Sequence, residues 1–249
     1  LVFFAAGNAG PNDDTLGSPA TGKNVVAVGA SIHGSFDPTC VAIFSSRGPT
    51  RDGRIKPDVV APGLFTVSAA TNRVVPGPSC DNAQSSGTSM AAPTAAGLGA
   101  LVRQYFTDGF HPSGSARPAD AFSPTAALVK ATLIASAVDL STLGCQADPI
   151  PSRDQGWGLI QLDTALAFSG DANRLVVDDH LNGFAAPSDA PVTRRVVVTE
   201  PGPLKVVLAW TDAPSSSLAA VHLVNDLDLV VRGPGGDYRG NVFAAGRSV

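Results

Sequence analysis

The stretch Ser86-Gly87-Thr88-Ser89-Met90-Ala91-Ala92-Pro93 holds the residue types best suited to chemistry. A turn of small residues runs into an apolar segment, 94–106, that predicts a helix. Thr88 or Ser89 stands where a helix cap belongs, and Pro93 falls in what reads as the first turn, where a missing N–H costs nothing. A hydroxyl at a helix start has free backbone N–H groups beside it, and these favour developing negative charge. A nucleophilic serine uses that setting: its oxygen attacks a carbonyl while its own N–H steadies the oxyanion. An ordinary Ser/Thr cap needs the same residue types, so this stretch by itself leaves both readings open. The rival hydrolase signature, Gly-x-Ser-x-Gly, fails at Ala91, which weakens an esterase reading.

A second signal, Ala5-Ala6-Gly7-Asn8-Ala9-Gly10, closes the apolar run at 1–4. Together the two stretches resemble the subtilisin-like serine proteases, the subtilases. That family's nucleophile phrase, Gly-Thr-Ser-Met-Ala-x-Pro, is matched in full at 87–93, and its oxyanion phrase, Ala-Ala-Gly-Asn, at 5–8. The resemblance implies a serine endopeptidase acting on protein or peptide substrates through an acyl-enzyme. It implies Ser89 as nucleophile, the Asn8 amide and the Ser89 N–H as oxyanion donors, and Ala5, Ala6 and Gly7 as one wall of the substrate pocket. It also implies secretion. Phe44-Ser45-Ser46-Arg47-Gly48-Pro49-Thr50, Lys56-Pro57-Asp58-Val59-Val60-Ala61-Pro62-Gly63 and the phrase from Gln155 to Asp163 are similar to further phrases of the family. Ser18-Pro19-Ala20 resembles a place where the family carries a cis proline.

Subtilases set their triad Asp and His before the oxyanion Asn. Only seven residues precede Asn8, and none is Asp or His. The four histidines are His33, His111, His180 and His222, and none has the family's His-Gly-Thr setting. His33-Gly34 comes nearest but follows Asn8, so a solvated loop histidine is the better reading. No base or orienting acid is assigned within the chain. It therefore reads as a fragment of a protease, expected to be inactive alone. The alternative is a catalytically inactive subtilase-like module used for binding or maturation.

The elements that position these residues follow an α/β pattern. Runs at 1–5 and 25–28 suit parallel strands buried on both faces, with further strands at 40–44, between Pro57 and Pro62, and at 64–68. Residues 72–85 read as a surface loop. Gly97 and Gly99 in the first helix suggest close packing there, since each costs about 1 kcal/mol in a helix. Ser123-Pro124 opens a second helix over 125–138, and a short helix ends near 168. The expected fold is the C-terminal part of a parallel-sheet subtilase core over 1–171. Beyond it the pattern changes. β-branched runs at 195–199 and 204–210 and the alternation at 223–231 predict antiparallel strands, hence a partial all-β sandwich or barrel over 172–249. Trp210-Thr211-Asp212-Ala213-Pro214 and the phrase from Leu223 to Leu229 resemble alkaline subtilases of the KP-43 type, which carry a C-terminal β-barrel.

Asp226 and Asp228 lie two apart in a strand pattern and project on one face; with Asn225 and Asp212 they form a candidate oxygen set for structural calcium. The competing reading is a solvated strand face. Catalysis itself calls for no cofactor, and no Cys/His spacing suggests zinc. Cys40, Cys80 and Cys145 permit one disulfide with a free thiol, or three thiols. With 249 residues, 44% of them apolar, the chain has ample material for a core. Its net charge of -4 and lack of a basic stripe argue against nucleic acid as a partner. No apolar run reaches the roughly 18 residues that span a bilayer.

Overall fold

A computed structural model describes residues 1–32, 40–71, 77, 80–184, 189–199, 201–244 and 247–248. The core sheet uses β1 (Val2–Ala5), β2 (Val25–Ser31) and β3 (Val59–Pro62). β4 (Thr66–Ala70) and β5 (Asp81–Ser85) form a separate antiparallel hairpin. The core sheet is completed by β6 (Ala137–Val138) and β7 (Leu159–Ile160), in the order β1-β2-β3-β7-β6. All neighbours run parallel except β6, which is antiparallel to β7. The fold is thus an α/β layer with a mixed, mainly parallel sheet.

β2 is central and apolar on both faces, and six of its seven residues are buried. β1 pairs in parallel with β2, as expected; within these residues Phe3, Phe4 and Ala5 are half-buried and Val2 is exposed. α1 (Thr88–Thr107) lies across β1, β2 and β3 and buries Ala91, Ala95, Gly99, Val102 and Phe106, a stripe of helical spacing. Gly99 is what lets the helix approach the sheet: a Cβ there would stand 2.7 Å from the Phe3 ring. Gly97, by contrast, faces open space. Burying Phe106 and Val102 contributes about 1.5–3 kcal/mol each.

α1 begins six residues earlier than the apolar periodicity suggests. Its N-cap is Gly87, and neither Thr88 nor Ser89 caps it. Pro93 is the sixth helical residue, not a first-turn one, so the Ser89 carbonyl loses its helix donor. α2 (Ala126–Ala135) is shorter than predicted and is capped by Thr125, whose hydroxyl accepts from the Leu128 N–H at 3.1 Å. Ser123 is not the cap. The loop expected over 72–85 contains β5, and 40–44 contributes only a bridge between Ser31 and Val41. Cys40 and Cys145 form a disulfide, and Cys80 is a free, exposed thiol.

The strands predicted over 195–199 and 204–210 are not formed. β-branched residues favour extended backbone, but a strand needs a hydrogen-bonded neighbour, and these segments have none among the described residues. Pairing starts only with β8 (Val230–Gly233) and β9 (Gly236–Arg239), followed by a two-residue pair of β10 (Phe243–Ala244) and β11 (Arg247–Ser248). No barrel is present among the described residues. Residues 172–225 are instead held to the core by polar anchors. The Asp179 carboxylate accepts from the Thr125 N–H and hydroxyl at the start of α2. Lys205 donates to the Ala135 and Ala137 carbonyls at its end. Both charges match the helix dipole.

Candidate active site

β1 ends at Ala5, and the chain then turns through Gly7, whose φ of 115° favours glycine. The turn presents Asn8 at the start of α1, where the Thr88 N–H and the Thr88 hydroxyl both donate to Asn8 Oδ1, each at 2.9 Å. The same hydroxyl accepts from the Gly7 N–H at 3.1 Å. Thr88 therefore grips the carbonyl end of the Asn8 amide from two sides and leaves Nδ2 to point elsewhere. A Cβ built on Gly87 would stand 3.3 Å from Asn8 Nδ2 and 3.7 Å from the Ser89 N. Both nitrogens thus border the position that a side chain on residue 87 would take, and Asn8 Oδ1 borders it too, at 3.7 Å. A negatively charged oxygen in such a space would meet two preorganised donors.

Ser89 lies on the first turn of α1 with its side chain exposed. Neither its N–H nor its hydroxyl has a hydrogen-bond partner among the described residues. Behind this turn Gly63 allows close packing: a Cβ there would lie 2.8 Å from the Gly87 carbonyl oxygen, and the Gly87 N–H donates to Gly63 O at 2.8 Å. The end of β3 thereby sets the height of the turn. Ala5 and Gly7 are half-buried, while Ala6 is fully buried with both backbone groups paired, to Val28 O and the Gly17 N–H. Only Ala5 and Gly7 have surface to offer a bound peptide. The Ser18–Pro19 bond is cis.

The three described histidines are engaged away from this turn. His111 bonds Leu175 O, and burial pulls its pKa down; His180 pairs with Asp178; His222 bonds the Ser215 hydroxyl. His33 lies outside the described residues. No base is brought to Ser89 among the described residues.

Asp212, Asn225, Asp226 and Asp228 do not assemble into a cation site. Among the described residues, no group of three or more His, Cys, Asp or Glu side chains is arranged to hold a metal. The Asp212 carboxylate is already occupied. Lys23 Nζ sits 2.6 Å from Oδ2, which also accepts from the Val224 N–H, and Oδ1 accepts from the Asn225 N–H and side-chain amide. Burial opposes the charge, but the Lys23 bond and the backbone donors outweigh it and hold this carboxyl well below the usual range. Lys23 also donates to Ala213 O and His222 O, both at 2.6 Å. An ammonium stands where a cation was expected, and it ties this segment to the core.

A second charged cluster sits at the base of β3. Asp58 is buried between two ammonium groups: Lys56 bonds its Oδ2, and Lys130 lies 2.8 Å from Oδ1. Burial alone would raise the Asp58 pKa, but the two lysines hold it below its ordinary value. Burial pulls Lys56 down to about 8, against the attraction of Asp58.

A mainly parallel sheet thus carries an exposed serine on a helix's first turn, with the Asn8 amide nitrogen and the Ser89 N–H both unpartnered among the described residues. The chain belongs to the subtilase family, whose model matches residues 1–158. It is 40% identical over 122 residues to the serine protease AprX of Bacillus subtilis, covering 43% of this chain and 27% of that protein. It is 30% identical over 230 residues to the serine protease/ABC transporter B family protein tagA of Dictyostelium discoideum, covering 81% of this chain and 12% of that protein. The chain thus spans well under a third of the length of these relatives. The solved structure of sphericase aligns at 26% identity over 65% of this chain and 48% of that one, with a TM-score of 0.46.

Proposed function

We propose that this chain is part of a secreted serine endopeptidase. Ser89 Oγ attacks the carbonyl carbon of a peptide bond and gives up its proton to a base. The carbonyl oxygen, now negative, sits between Asn8 Nδ2–H and the Ser89 N–H. Collapse of that intermediate breaks the C–N bond, the base returns the proton to the leaving amine, and an acyl-Ser89 ester remains for water to hydrolyse. The observation that supports this reading is that Asn8 Nδ2 and the Ser89 N both lie beside Gly87, within 3.7 Å of where its side chain would be. The base and its orienting acid belong to parts of the protein outside these 249 residues. Residues 1–171 are the C-terminal part of the catalytic domain on this reading. Residues 172–249 are part of an appended β-sandwich or barrel, a reading supported by their β-branched alternation and the β8–β9 hairpin. The Cys40–Cys145 disulfide supports an oxidising, extracellular setting.

The test is fluorophosphonate labelling of the full-length protein, with the modified peptide located by mass spectrometry. Covalent modification of Ser89 is expected. Absence of labelling in well-folded protein would favour the inactive binding or maturation module.

A further inference from the structure

Asn8 makes no backbone hydrogen bond among the described residues, so the aim of its side chain depends on what holds its neighbours. Those neighbours rest on the segment 44–46. The Ser46 N–H donates to Gly7 O at 2.9 Å, the Ala9 N–H donates to Ser46 Oγ at 3.1 Å, and the Gly10 N–H donates to Phe44 O at 2.9 Å. Ser46 therefore holds both the residue before Asn8 and the residue after it. The fit is close. A Cβ on Gly7 would stand 2.7 Å from Ser46 Oγ, and one on Gly10 would stand 2.2 Å from Ser45 O. Ser46 is fully buried, so its contacts do not exchange with water. Its neighbour Ser45 serves a different purpose, accepting from the Ala30 N–H and steadying β2.

We infer that Ser46 is a positioning residue of the oxyanion site: by fixing Gly7 and Ala9 it sets the direction of Asn8 Nδ2. This rests on the reading of Asn8 as an oxyanion donor. Thr88 holds the far end of the amide, while Ser46 holds the backbone it hangs from. A shift of a few tenths of an ångström at Gly7 or Ala9 is magnified at Nδ2, three bonds from the Asn8 Cα. A donor aimed at a transition-state oxygen loses its effect with small misplacement, so kcat should be sensitive to Ser46 while substrate affinity is not.

The test is a double-mutant cycle in the full-length protein, with kcat and KM measured on a peptide anilide for the parent, Ser46→Ala, Asn8→Ala and the double variant. Ser46→Ala should lower kcat about tenfold, the scale of one lost hydrogen bond, with KM nearly unchanged. In the Asn8→Ala background the same change should have no further effect on kcat, because its target is gone. An equal loss in both backgrounds, or an unchanged kcat with Asn8 present, overturns the inference. If Asn8→Ala itself leaves kcat intact, the oxyanion reading has failed, and that single variant tells the two failures apart. Should Ser46→Ala not fold, the same cycle is run with Ser46→Cys, nearly isosteric but a weaker acceptor. A smaller kcat loss that again vanishes without Asn8 supports the inference, and one that persists overturns it.

Discussion

Replacing Lys56 by Met removes one of the two ammonium groups that share the buried Asp58 carboxylate. The substitution leaves little else unpaired, since Val25 O, to which Lys56 donates, also accepts from Lys130 at 3.1 Å. The folded Lys56 pKa is about 8, and the ordinary value is 10.5, so the folded state is the worse proton holder between them. In that window the unfolded chain binds more protons, and stability rises with pH. At about 1.4 kcal/mol per pH unit the full gap corresponds to roughly 3 kcal/mol, of which about 2 should be gained between pH 8 and 10. Lys205, whose pKa burial also lowers, adds in the same direction, whereas Tyr105, whose pKa burial raises, opposes it only beyond its ordinary value of 10.0. Subtracting the variant from the parent isolates Lys56. Urea unfolding of the full-length protein at pH 7, 8, 9 and 10 should therefore show a rising midpoint in the parent and a much flatter one in Lys56→Met. A parent curve that is flat or falls over pH 8–10, or an identical slope in the two proteins, would refute the reasoning.

Thr88→Val should lower kcat about three- to tenfold, because the Asn8 carbonyl keeps only the Thr88 N–H and the Gly7 N–H loses its acceptor; unchanged kcat would show that the hydroxyl does not aim the amide. The double change Cys40→Ser with Cys145→Ser should reduce stability by about 2–4 kcal/mol in denaturant unfolding, since the bridge closes a sequence separation of 105. The isolated 249-residue chain should show no peptidase activity above a Ser89→Ala control; activity there would mean that one of its own histidines supplies the base.

The sequence points to Ser89 and Asn8 because each sits in a short contiguous phrase, and the structure places the two phrases side by side at the start of α1. The sequence did not reveal what holds them. Thr88 read as a helix cap, a habit of Thr at helix starts, yet its hydroxyl turns 80 positions back along the chain to Asn8. Ser46 sat in a recognisable phrase with no role attached, because only the folded turn brings it under Gly7 and Ala9. The strands now seen at Val25–Ser31 and Val59–Pro62 were readable in outline, from the apolar run at 25–28 and from the short apolar stretch between Pro57 and Pro62. The Lys23 ammonium on Asp212 was not readable for a related reason: it comes from a partner 189 positions away. The runs at 195–199 and 204–210 have β propensity but no paired neighbour among the described residues, and propensity carries no information about neighbours.

The central claim is that Asn8 acts through its amide nitrogen on an oxyanion beside Ser89. Asn8→Asp tests it most directly. An aspartate would keep an oxygen facing the Thr88 N–H and hydroxyl, so the turn should stay folded with its thermal midpoint intact. Its second oxygen would replace Nδ2 and put negative charge where the oxyanion forms. Turnover in the full-length protein should then fall by at least the roughly 10²–10³ that loss of such a donor costs in subtilisin, with KM little changed. Near-normal turnover in Asn8→Asp would contradict the account, since a turn residue tolerates Asp and an oxyanion donor does not.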